Sequence, residues 1–158
     1  MTKDIKADFW DRLKDTRSGM LSADGAPAVP MTHHVDDEDN STSLWFITAK
    51  DTDLGEAAIN PVSAQYLISS PDEQLYARID GQLVRSADTA QLDRIWSGFA
   101  AAWFEDGRQD SDIQLLRFDL STAEVWITGG SLKFLFEVAK ANATKSQPDI
   151  GTHTTLTF

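Results

Sequence analysis

The sequence predicts an α+β fold, a small antiparallel β-barrel of six or seven short strands with flanking helices. Three observations carry this. Apolar segments of five to ten residues recur between turn signals. Most connections between them are shorter than the dozen or more residues that a parallel crossover needs, so the sheet is antiparallel. Closing such a sheet on itself hides its edges.

The elements follow in order. Asp4 to Thr16 reads as an amphipathic helix, with Ile5, Phe9 and Leu13 on one face. Gly19–Ala23 is a short strand, Asp24-Gly25 a hairpin turn, and Ala28 to Val35 the return strand. Asp36 to Ser41 is a hydrophilic loop. Leu44 to Thr48 shows no alternation, which suits a strand buried on both faces. Asp53 to Ile59 forms one or two helical turns, stopped by Asn60-Pro61. Val62 to Ile68 and Leu75 to Val84 are strands joined by turn chemistry at Ser70 to Glu73. Asp88 caps a second clear helix, with Gln91 three positions on. Leu92, Ile95, Trp96, Phe99 and Trp103 form its stripe. A polar loop runs from Glu105 to Asp112. Ile113 to Leu120 and Glu124 to Thr128 are two further strands. Gly129-Gly130 separates them from a last helix, Ser131 to Asn142, whose buried face is Phe134, Leu135, Val138 and Ala139. The organisation read here is one domain over residues 1–143 and a Thr-rich tail over 144–158, pairing locally or hanging loosely.

The chain has 158 residues, a length that fits one domain. With no cysteine, disulfide scaffolds, thiolate zinc sites and cysteine nucleophiles are excluded. A formal charge of −11 and scattered cations argue against nucleic acid as a partner. No apolar run approaches the roughly 18 residues of a membrane helix, and the N-terminus lacks an apolar signal core. The expectation is a cytoplasmic protein with no membrane contact.

Few residues announce chemistry. His33 and His34 are strand neighbours and point to opposite faces, so they do not share a site, and no metal site is expected. The acidic run Asp36 to Asp39 lacks the glycine and distal glutamate of a calcium loop. No nucleophile elbow and no phosphate-binding glycine loop is present. Trp10, Trp45, Trp96 and Trp126 read as core. Trp103 lies at a helix end before Phe104 and a polar loop; helix-end packing is the default for its ring, and contact with a flat ligand ring or a partner subunit is the alternative.

Several segments in order resemble one family. They are Phe9-Trp10-x-x-Leu13 with Gly19-Met20-Leu21, Pro30-Met31-Thr32, Leu44 to Asp51, Asn60-Pro61-Val62, the strand from Tyr76 to Gly81, and Ala102-Trp103-Phe104-x-x-Gly107-Arg108-x-Asp110. Together they resemble the general stress protein 26 group of the pyridoxamine 5′-phosphate oxidase-like, FMN-binding split barrels, over residues 8–140. The resemblance implies an antiparallel split β-barrel and a homodimer with two FMN sites at the subunit interface. One subunit would offer Met31, Thr32, Thr48, Ala49, Lys50, Asp51 and Thr52. The partner would offer Trp103, Phe104, Gly107 and Arg108, which moves Trp103 from the core to an interface. The implied function is flavin binding of the stress-response type with weak oxidoreductase activity, and no catalytic residue is assigned. The alternatives are a non-catalytic flavin-binding module and a dimer that has lost its cofactor.

Departures from the family pattern bear on that choice. Val29 stands where the family commonly has arginine, Asp53 or Leu54 where it has lysine, and Glu105 where it has proline. Each charge-assisted bond lost to a phosphate gives up about 1.5–3 kcal/mol. FMN binding is then expected to be weak, shifted to another cofactor, or absent. The tail carries no arginine, so vitamin B6 oxidation is not expected.

Overall fold

The computed structural model describes residues 4–35, 42–128, 139–144 and 151–158. Helix α1 (Ile5–Asp15) starts at Asp4, whose carboxylate accepts from the Lys6 backbone N–H, and it buries Phe9 and Leu13. The strands are β1 (Gly19–Ala23), β2 (Ala26–Met31), β3 (His34–Val35), β4 (Ser43–Ala49), β5 (Val62–Ser70), β6 (Leu75–Ser86), β7 (Ile113–Thr128) and β8 (Gly151–Thr157). Between them lie α2 (Asp53–Ala57), α3 (Thr89–Ile95) and α4 (Gly98–Ala101), followed by a short 3-10 turn at Gly107–Gln109.

All strand pairings are antiparallel, in the order β2-β1-β5-β6-β7-β4-β3, with β8 added against β7. The two ends of this path, β2 and β3, are consecutive in the chain and joined only by Thr32 and His33. The three Cα steps from Met31 to His34 span at most about 11 Å. The sheet must therefore curl until its edge strands meet, although no ladder joins them. That geometry is a barrel split along the β2–β3 seam.

The predicted strand from Ala28 to Val35 breaks at this seam. The predicted pair Ile113 to Leu120 and Glu124 to Thr128 is instead one strand, bent where Ser121 bulges out of the β6 ladder opposite Asp80 and Gly81. Gly81 permits the bend, because a Cβ there would meet the Asp119 carbonyl at 2.1 Å. The bend divides the work of β7. Its first half pairs with β4 and its second half with β8. The tail thus reaches a strand some thirty residues upstream and ends with Phe158 against Phe9 and Trp10, at ring separations of 5.9 and 5.8 Å.

The core fills the barrel and lies under α1. Leu21, Phe46, Tyr66, Ile79, Leu116 and Phe118 are fully buried there. Leu44, Trp45 and Phe46 are buried in succession, as expected for a strand covered on both faces. Trp45 belongs to a second, smaller cluster with Leu92 and Leu115 beneath α3. Trp10, Trp96 and Trp126 are half-buried rather than core. Trp126 stacks on His153 of β8 at 4.8 Å, on a face that β8 covers only in part.

The predicted stripe from Leu92 to Trp103 is two helices. Asp88 caps α3 as expected, accepting from the Gln91 N–H at 3.0 Å. The helix then stops at Trp96, which is extended, and Ser97 opens α4 by accepting from Ala100 N–H. Ser97-Gly98 supplies a cap and a weak helix former where a continuous helix needs neither. The side chain of Phe99, the loop Asp36 to Ser41, Gly129-Gly130 and the positions Phe134, Leu135 and Val138 fall outside the described residues. Residues 139–144 are helical, with Ala139 exposed and Ala141 buried, so Ala139 does not face the core. Among the described residues no helix is long and apolar enough to cross a membrane.

Candidate functional site

The seam opens into a cavity of about 830 Å³. Met31 and Thr32 form its edge on the β2 side. Ile47, Thr48 and Ala49 at the end of β4, with Thr52 in the following turn, form the floor. Ala100, Trp103 and Phe104, from α4 and the segment after it, form the opposite wall. Ser18, Pro30, His34 and Ser97 complete the rim. The size and the apolar lining with a few hydroxyls fit a drug-sized ligand.

The turn after β4 is held tightly. Thr52 caps α2 by accepting from the Gly55 N–H at 3.1 Å and donates its own proton to the Ala49 carbonyl at 2.8 Å. That leaves Thr48 as the donor in the 3.0 Å bond between the two threonine hydroxyls. Gly55 cannot carry a side chain without displacing backbone, since a Cβ would lie 2.6 Å from the Ala49 carbonyl. Arg85, from β6, closes the turn from behind. Its Nε donates to the Gly55 carbonyl at 2.7 Å and its guanidinium to the Lys50 carbonyl at 3.0 Å.

The other wall is fixed by a buried polar knot. Tyr66 on β5 reaches the seam, with its hydroxyl 2.6 Å from His33 Nδ1 and 2.9 Å from the Met31 carbonyl. His33 Nε2 lies 2.8 Å from the Leu13 carbonyl, which only accepts, so the proton sits on Nε2. Burial holds the His33 pKa below its ordinary value and pushes that of Tyr66 up, so imidazole and phenol are both neutral. Nδ1 and the Met31 carbonyl are then both acceptors, and they share the single proton of the phenol. Burial also lowers the pKa of His34, which faces the cavity.

Seven of the eleven residues expected at a site therefore meet around one cavity: Met31, Thr32, Thr48, Ala49, Thr52, Trp103 and Phe104. All seven are residues of this one chain. Trp103 is 74% exposed and so is not core. The other four stand outside the lining. The side chains of Lys50 and Asp51 are exposed, with Lys50 tied by its backbone N–H to the Asp112 carbonyl. Gly107 is in the 3-10 turn, and Arg108 Nε pairs with Asp93 at 2.7 Å. His34, which the sequence reading set aside, and Ser97 also line the cavity, and Arg85 stands behind it. The first two belong to elements whose meeting at the seam is a long-range fact. Arg85 carried no local signal, being one of several charged residues along β6.

Comparison with known proteins decides the family. The model described as pyridoxamine 5′-phosphate oxidase like matches residues 4–149. The chain belongs to the pyridoxamine 5′-phosphate oxidase-like family. A structure from Jannaschia sp. CCS1, named a general stress protein 26, is 46% identical over 98% of this chain and 99% of its own, with a TM-score of 0.89. The general stress FMN/FAD binding protein of Xanthomonas citri is 34% identical, covering 82% of this chain and 93% of its own, with a TM-score of 0.73. A family member from Nostoc punctiforme, at 15% identity and a TM-score of 0.58, shares the fold. No curated protein matches. The split-barrel expectation and the group named for it both stand.

Proposed function

We propose that the seam cavity is a flavin site and that the chain is a dimeric, flavin-binding protein of the general-stress type. The observation that carries this reading is the meeting of the barrel turn at Thr48 to Thr52 with Trp103 and Phe104 around a single cavity of suitable size. The name of the Xanthomonas citri relative supports it. Trp103 and Phe104 offer aromatic surface to a flat ring system, and Met31, Ile47 and Ala49 offer apolar contact. Thr32, Thr48, Thr52 and backbone groups at the seam offer hydrogen bonds to its polar edge. A bound flavin supplies electron transfer, and the protein supplies position and exclusion of water. The homodimer is supported by Met20 and Leu67, which are paired across β1 and β5 and are 39% and 41% exposed.

A second reading, the dimer without cofactor, is favoured by one observation. No lysine or arginine is among the described residues that line the cavity. Titration of purified apo-protein with FMN, followed in the flavin absorbance bands, separates the two, with light scattering for the mass. Saturable binding at micromolar FMN by a dimer supports the flavin site. A stable dimer that leaves the flavin spectrum unchanged supports loss of the cofactor, and a monomer refutes the dimer.

A further inference from the structure

We infer that this cavity selects a flavin by its ring and ribityl portion and not by its phosphate, so that riboflavin is as good a ligand as FMN. The inference rests on the flavin reading above and narrows its ligand class.

The turn where a phosphate would be expected is built against one. A phosphate oxygen needs hydrogen-bond donors and positive charge. At this turn the hydroxyl protons run inward, from Thr48 to Thr52 and from Thr52 to the Ala49 carbonyl. The Gly55 N–H, which would face an anion, is spent on Thr52. What Thr48 presents to the cavity is an acceptor oxygen, which matches a ligand N–H or hydroxyl and repels a phosphate oxygen. Arg85, the guanidinium behind this turn, has Nε on the Gly55 carbonyl and a terminal nitrogen on the Lys50 carbonyl.

Charge points the same way. Asp53 and Glu56 occupy the first turn of α2, and Asp51 precedes them. Arg108 is paired with Asp93, and Lys50 lies outside the lining. The chain as a whole carries −11, and a dianionic phosphate approaches it against that field. The neutral lining instead suits a neutral ligand body.

The test is a pair of titrations of the purified protein with riboflavin and FMN, followed by flavin absorbance at low and physiological salt. The expected result is dissociation constants within about threefold of each other, with FMN gaining relative to riboflavin as salt screens the protein's charge. FMN binding tenfold or more tighter than riboflavin overturns the inference and leaves the flavin site standing. Failure of both flavins refutes the flavin site itself. A Val29→Arg variant adds a cation beside the seam, at a position that is 39% exposed. It should tighten FMN severalfold and leave riboflavin unchanged. Equal gains for both ligands would show that the added cation does not act through the phosphate, and would count against the inference.

Discussion

Tyr66→Phe removes one hydroxyl and almost no volume, so its effect isolates the polar knot behind the cavity. In the wild-type chain that hydroxyl lies 2.6 Å from His33 Nδ1 and 2.9 Å from the Met31 carbonyl, with Tyr66 fully buried. With His33 neutral and Nε2 donating to Leu13, Nδ1 has no other donor in reach of the bonds described. Phenylalanine leaves that nitrogen dry and unpaired. A buried polar atom left in this state costs about 1–3 kcal/mol, more than the net worth of the bond itself. For a urea slope of about 2 kcal/mol/M, the midpoint should fall by roughly 1 M. The assay is urea unfolding by tryptophan fluorescence and far-UV circular dichroism, requiring one transition by both probes. An unchanged midpoint at unchanged slope would refute the knot as a stabilising element. It would mean that the seam is held by packing alone.

Three further outcomes follow from the same geometry. His33 and His34 have pKa values held below 6.5 by burial, so the unfolded chain takes up protons that the folded chain refuses. Proton uptake then favours unfolding: stability is complete above about pH 6.5 and declines below it, and urea midpoints that stay flat from pH 8 to 5 would contradict this. Gly55→Ala drives a Cβ to within 2.6 Å of the Ala49 carbonyl and should cost about 1–3 kcal/mol in thermal or urea unfolding. Phe158→Ala takes a ring from the cluster with Phe9 and Trp10 and should cost about 1–2 kcal/mol by urea unfolding. No loss there would mean that β8 is held by its ladder alone.

Local pattern made much of this fold readable, and distance hid the rest. The spacing of Ile5, Phe9 and Leu13, the cap at Asp88 and the unbroken apolar run from Leu44 are signals within one or two turns of chain, and each lies where expected. The break at Trp96 was hidden because the apolar stripe continues past Ser97-Gly98 in register, while the cap at Ser97 restarts the helix. The bulge at Ser121 looked like a gap between two strands, since a bulge and a break both interrupt alternation. The tail's partner was hidden more deeply. Thr154, Leu156 and Phe158 do alternate in burial with Thr155 and Thr157, yet nothing in that alternation names β7.

The site shows the same division. Its residue types were legible by resemblance, as Met31, Thr32, Thr48, Ala49, Thr52, Trp103 and Phe104. Their meeting inside one chain was not, because it depends on the curl that brings β2 to β3. Lys50 and Arg108 were placed at the site by their positions in the motifs, and neither lines the cavity. In the fold, one stays at the surface and the other answers Asp93.

The central claim is that the seam cavity lined by Trp103 is the proposed flavin site, and Trp103→Ala tests it most directly. The ring is 74% exposed, so its removal should leave unfolding nearly unchanged. FMN and riboflavin affinities, measured by absorbance titration of the folded variant, should both fall by about tenfold, the worth of one aromatic contact of about 1.4 kcal/mol. Arg108→Ala, outside the lining, should leave both affinities unchanged. Undiminished binding by Trp103→Ala would contradict the account, and the flavin would then have to sit elsewhere on the barrel.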